Sequence, residues 1–188
     1  PHDRKENSTP ASMLVDAMNW IVERNADSTS VYYNKVDIDK IAVAGHSCGG
    51  AQVLAVANDS RIKTYLILNA GMGDMMMAGA SKKSLKQLHA PIIYMIGGKG
   101  DIAYANARKD YAAIKKVPVV FADMPKAGHG ATFAQPFGGD FAKMCIRWMD
   151  WQLKGREQNA KLFLEADLKD FPEEFQTKYE ESDGNYSC

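Results

Sequence analysis

Apolar residues along the chain follow two rhythms, and the switch between them outlines a fold. Leu14, Ala17, Met18, Ile21 and Val22 recur at helical spacing, with Thr9 placed as a cap and Pro10 at the first position, so an amphipathic helix facing a core is expected there. After the polar stretch NADSTS come four short apolar runs: KIAVAG, ending at Gly45, TYLILNA (64–70), PIIYMIGG (91–98) and VPVVFAD (117–123). None of them alternates. Apolar character at successive positions suits a strand covered on both faces, and the intervals between runs leave room for helical crossovers. The expected fold class is α/β, a mostly parallel sheet flanked by helices.

The segments between and after these runs agree with that picture. GGAQVLAVAN (49–58) is small and apolar, while Ala107, Tyr111 and Ile114 form one stripe on a helix after the third run. Phe141, Met144, Cys145, Trp148 and Trp151 line one face of a last helix, with Arg147, Asp150 and Lys154 off it and Gly155 as its stop. Beyond about residue 165 the chain turns acidic and polar, with Phe171 and Phe175 as its only strong anchors. Residues 1–165 therefore read as one domain and 166–188 as a loosely held polar tail.

Composition narrows the function classes. A chain of 188 residues fits one ordinary domain, and 46% hydrophobic with 24% charged residues is the mix of a packed globular protein. Lys plus Arg and Asp plus Glu are both 23, so no basic surface for a nucleic acid is indicated. No apolar run approaches the roughly 18 residues of a membrane span. Cys48, Cys145 and Cys188 lie far apart, without the spacing of a disulfide framework or zinc knuckle, and there is no HExxH. The GMG and GGKG triplets do not continue into a Lys-Ser/Thr helix, so phosphate loops are rejected; no metal and no cofactor is expected. The opening residues lack the apolar core of a signal peptide, and no compartment is assigned.

The chemistry concentrates in three places. Gly45-His46-Ser47-Cys48-Gly49 has the GxSxG form where a strand should turn sharply into a helix, a turn that lifts the Ser hydroxyl out of the sheet and aims the next backbone N–H at a reacting oxygen. The helix N-terminus there also favours developing negative charge. A serine nucleophile needs a base, and the base an orienting acid. Asp101 ends the third strand in IGGKGD and His129 follows the fourth in KAGHG, so in a parallel sheet all three side chains reach one edge. Asp74, in GMGD after the second strand, is the rival acid. His2 is terminal, and His89 enters a strand at the opposite edge.

Through AGHSCGG, GGKGDIAY and AGHG the chain resembles the α/β-hydrolase superfamily, in its esterase, lipase and dienelactone-hydrolase-like part, over roughly residues 10 to 160. The resemblance implies Ser47 as nucleophile, His129 as general base, Asp101 as its acid partner and the Cys48 backbone N–H as an oxyanion donor. Such proteins carry about four further strands before this point, with the loop that gives the second oxyanion N–H. The expectation is an N-terminally truncated domain whose KIAVAG strand is an open edge, available for self-association, and whose catalysis is weakened.

Each residue also has a plainer role open to it. Ser47 could cap a helix, Cys48 fits as a small side chain beside the nucleophile, and His46 reads as structural support bordering the site. Met72, Met75, Met76 and Met77 follow a strand end and are either pocket lining or packing under a cap. The function expected is hydrolysis of a small-molecule carboxylic ester through an acyl-enzyme, with a peptidase or acyltransferase of the same fold, or a non-catalytic binding module, as alternatives.

Overall fold

In the computed structural model, which describes residues 9–182, the chain forms a five-stranded sheet in the order β1-β2-β3-β4-β5. The strands are β1 (Ile41–His46), β2 (Ile62–Leu68), β3 (Ile92–Ile96), β4 (Val119–Asp123) and β5 (Gln176–Glu180). The first four are parallel neighbours, and β5 runs antiparallel to β4. The runs expected as buried strands are β1 to β4. Every residue of β3 is buried, as is every residue of β2 except Lys63, because helices cover both faces. β1 is half exposed and pairs only with β2 among the described residues.

One face carries α1 (Ser12–Ala26), α2 (Cys48–Ala55) and α3 (Tyr104–Ala113), packed on a core that includes Val53, Leu54, Tyr65, Ile92, Tyr94 and Phe121. The other carries α4 (Gly139–Lys154) and α5 (Ala160–Leu164) over Leu66, Ile93, Val120 and Trp148. The stripe read on α4 is the buried one: Phe141, Met144 and Trp148 are fully covered, Cys145 and Trp151 pack beside them, and Gly155 closes the helix at φ 62°. Trp148 also donates its indole N–H to Thr64 Oγ1 at 2.7 Å, tying α4 to β2 across the core. No described helix is long and apolar enough to cross a membrane.

Three expectations need correction. Thr9 does not cap α1, which starts at Ser12 behind Ala11; the Thr9 carbonyl instead accepts the Gln52 side chain of α2, and the Pro10 carbonyl opens the first turn by accepting the Met13 N–H. The β2–β3 crossover holds no α-helix, only a short 3₁₀ turn at Ser84–Gln87, so a long loop lies beyond the end of β2. The region expected as a loose tail contributes β5. Within QTKYE, Thr177 and Tyr179 point inward and Gln176 and Lys178 outward, a period of two concealed by the acidic composition. Thr177 Oγ1 donates to the Leu162 carbonyl, and Phe171 and Phe175 are buried in the α4 core with ring centroids 5.9 Å apart.

Phe175→Ala is therefore expected to lower the free energy of unfolding by about 3 kcal/mol, the usual cost of emptying a buried Phe site. Urea denaturation checks this; a loss under about 0.5 kcal/mol, typical of surface changes, would mean that the segment is not part of the core.

Candidate active site

β1 ends at His46 and α2 begins at Cys48, which leaves Ser47 to make the whole reversal from strand to helix. Its backbone takes φ 54°, ψ −120°, a conformation that costs a non-glycine residue about 1–3 kcal/mol. Two hydrogen bonds hold it: the Ser47 N–H donates to the Leu68 carbonyl of β2, and the Ser47 carbonyl accepts the Gly50 N–H, both at 2.9 Å. The turn is so tight that a Cβ on Gly45 would lie 2.2 Å from the Gly49 carbonyl, and one on Gly50 would lie 2.4 Å from the Ala70 Cβ. Gly49, the second glycine of the motif, has open space around it. The glycines the turn requires are thus Gly45 and Gly50.

The parallel sheet brings the ends of β1, β3 and β4 to one edge, and three side chains meet there. His129 Nε2 lies 3.0 Å from Ser47 Oγ, and His129 Nδ1 lies 2.8 Å from Asp101 Oδ1. The His129 loop is seated directly on the β3 loop: the Gly128 N–H donates to the Gly97 carbonyl at 2.8 Å, and a Cβ on Gly97 would collide with the Gly128 carbonyl. Asp101 is the carboxylate that meets this imidazole. Asp74 is exposed and paired with Lys109 at 2.7 Å and Lys82 at 3.5 Å.

Asp101 is buried, and its oxygens are fully engaged. Oδ1 accepts the Ala103 N–H at 2.9 Å besides meeting His129, while Oδ2 accepts the Gly97 N–H at 3.1 Å and the Asn69 side-chain amide at 2.7 Å. Burial is the largest single influence on this carboxyl and raises its pKa, but the hydrogen bonds from Ala103, His129, Gly97 and Asn69 together outweigh it. The net effect holds Asp101 below the usual carboxylate range, ionised beside the imidazole.

Around this centre the expected pocket residues separate. His46 Nε2 bonds the His129 carbonyl at 2.8 Å, and its ring lies 5.1 Å from that of His129 and 5.2 Å from Phe133. Met72 is fully buried in the core, so it packs and does not line an open site. Met75 and Met76 are exposed, and Met77 lies partly buried with its sulfur 3.9 Å from Cys48 Sγ. Cys48 opens α2, and since the Ser47 N–H is spent on Leu68, the Cys48 N–H is the next backbone donor after Ser47. Among the described residues no cluster of His, Cys, Asp or Glu could hold a metal ion. His89 contacts the Tyr65 hydroxyl at the opposite edge, beside a cavity of about 440 Å³; His2 lies outside the described residues.

Two buried residues near the site escaped the sequence reading. Asp110 of α3 accepts the backbone N–H groups of Met72 at 2.6 Å and Gly73 at 2.8 Å, pinning the start of the methionine loop. Its carboxyl is pushed up, chiefly by burial. Asn69 is wholly buried at the end of β2 with φ 47°. Its only mark in the sequence is an Asn that closes an apolar run in LILNAG.

Comparison with curated proteins gives no match. Comparison with protein families matches residues 3–178, nearly the whole chain, to the family described as PET hydrolase-like. With the α/β fold and its mostly parallel sheet, this identifies the chain as a member of the PET hydrolase-like family, a hydrolase that acts on esters.

Proposed function

We propose that the protein cleaves carboxylic esters by acyl transfer to Ser47. The reading is carried by the unbroken chain of contacts from Ser47 Oγ to His129 and from His129 to the buried Asp101. His129 Nε2 takes the hydroxyl proton as Oγ attacks the ester carbonyl carbon, and Asp101 keeps the Nδ1–H tautomer and stabilises the imidazolium. The Cys48 N–H, at the α2 N-terminus, donates to the oxyanion. As the tetrahedral intermediate collapses, the same proton passes to the departing alkoxide and the alcohol leaves. Water then repeats the sequence: His129 deprotonates it, it adds to the acyl carbon, and the proton returns to Ser47 Oγ as the acid departs.

The family description and the absence of any peptide-groove signal in the sequence favour an ester over an amide. The surroundings suit a bulky apolar group: Met75, Met76 and Ile102 are exposed in the loops after β2 and β3, and Phe133 flanks His46. Flexible thioethers adapt to irregular shapes at little cost.

Ser47→Ala and His129→Ala are expected to lower ester turnover by at least about 1000-fold while leaving cooperative unfolding intact. A fluorophosphonate probe should modify Ser47 alone, as read by mass spectrometry, and Asp101→Asn should slow the labelling sharply. Labelling elsewhere, or normal turnover by Ser47→Ala, overturns the assignment.

The lowered pKa of Asp101 has a consequence for stability. Its folded value lies below an unfolded value of about 3.9, so the ionised form adds stability above that pH, and this contribution disappears as pH falls through the folded value. The difference in unfolding free energy between the parent and Asp101→Asn should therefore be widest near neutrality and shrink in acid. Urea titrations across that range measure it, and a pH-independent gap would contradict the assignment.

A second reading, self-association, is favoured by one observation: β1 has an unpaired edge among the described residues. Light scattering across a concentration series tests it. Association that grows with concentration and survives Ser47→Ala supports the reading, and a constant monomer mass removes it.

A further inference from the structure

Asn69 occupies a position that local energetics disfavour. It is fully buried, its backbone lies in the left-handed region at φ 47°, and its side-chain Oδ1 has no hydrogen-bond partner among the described residues. A buried unsatisfied acceptor and a left-handed non-glycine backbone both destabilise a fold, and such costs concentrate where a geometry is needed.

The other half of the amide shows which geometry that is. Nδ2 donates twice, to Asp101 Oδ2 at 2.7 Å and to the Gly128 carbonyl at 3.0 Å. Both partners are pure acceptors, so the amide orientation is dictated by chemistry: a flipped Asn69 would set its oxygen against a carboxylate and a carbonyl. The two bonds join separate loops. Asp101 follows β3, and Gly128 immediately precedes His129 in the loop after β4. Asn69 itself is fixed to β3 by its own N–H, which donates to the Met95 carbonyl at 2.8 Å. A residue at the end of β2 thus holds the acid's far oxygen and the base's neighbouring peptide in one grip.

From this we infer that Asn69 is a positioning residue for the Asp101–His129 pair, an inference that rests on the triad reading above. By occupying Oδ2 it fixes the carboxylate rotation so that Oδ1 faces His129 Nδ1, and by holding the Gly128 carbonyl it sets the height of the imidazole above Ser47. Without the amide, Asp101 keeps its Gly97 and Ala103 donors and its contact with His129, and the Gly128 N–H still donates to the Gly97 carbonyl, but no third element braces the far side of the carboxylate against the Gly128 carbonyl. Asn69 touches neither Ser47 Oγ nor a reacting atom; its effect passes through its two partners.

Two substitutions and one measurement on the unaltered protein test this. Asn69→Gly tolerates the left-handed backbone and deletes only the amide; Asn69→Asp keeps the shape and replaces the donor by an acceptor. Each should lower kcat for a soluble ester about tenfold with KM within about twofold, the pattern of a misplaced catalytic group rather than a damaged binding site. Proton NMR adds a readout that loss of stability alone does not move: the far-downfield resonance of the His129 Nδ1–H bonded to Asp101 should shift or broaden in both variants. A folded Asn69→Gly protein with parental kcat and an unmoved downfield proton overturns the inference. In the parent, the Asn69 side-chain amide resonances should shift when a phosphonate is attached to Ser47, and their failure to respond overturns it even where neither variant folds. Failure of the triad reading has its own mark, a parent that the fluorophosphonate does not label at Ser47; the effect of Asn69 on the downfield proton is then the deciding result.

Discussion

The site depends on one strained residue. Ser47 reverses the chain within a single position, and the left-handed backbone it needs is held because its N–H is captured by Leu68 of β2 while Gly45 and Gly50 let strand, helix and neighbouring loop approach within the space of a missing methyl group. Relaxing the turn would break a sheet hydrogen bond, so the strain of one residue is set against the pairing of β1 with β2 and the packing of α2 on both. On a relaxed loop the Ser47 hydroxyl would lose the position it holds against His129.

The remaining parts of the site are fixed by the same sheet but by a different force. Asp101, Asn69 and the Gly97–Gly128 contact are buried at the carboxyl edge, where an unpaired polar group is costly. Burial alone would raise the pKa of Asp101. Four converging donors reverse that, and three of them, Gly97, Ala103 and His129, belong to the loops after β3 and β4. Electrostatics and backbone position are therefore one problem here: the groups that keep the carboxylate ionised also define where it points.

Much of this was legible in the residues, and the pattern of what was not is physical. Strands buried on both faces show themselves as unbroken apolar runs, and the glycine-serine signature needs only its strand and helix to be located, so β1 to β4, α4 and the meeting of Ser47, Asp101 and His129 could be anticipated. β5 was hidden because five residues at an antiparallel edge carry a period of two that surrounding Glu, Asp and Lys overwhelm. Thr9 does not cap α1 because the helix starts at Ser12 behind Ala11, which leaves Thr9 two residues before the capping position. The four methionines looked alike in sequence and part in space, since the backbone bonds of Met72 and Gly73 to Asp110 draw Met72 inward while Met75 and Met76 stay out. Asn69 and Asp110 share the reason for their invisibility: each acts on a loop remote in sequence, and an isolated polar residue carries no period.

The division between buried and exposed parts also bears on how selectivity arises in such a site. The groups proposed to do chemistry sit on strand ends, cross-braced by backbone hydrogen bonds, and have little freedom to adapt. The groups next to them are of the opposite kind. Met75 and Met76 are exposed on the loop after β2, Ile102 is exposed and directly follows Asp101 in the chain, and the Phe133 ring meets His46 and Phe141 edge-on. Apolar contacts without directional partners discriminate weakly, by about 1–3 kcal/mol for a methylene gained or lost. A site built this way separates a fixed reaction centre from a permissive apolar surround, so changes among the methionines and Phe133 should alter which esters are accepted far more than how an accepted ester is cleaved.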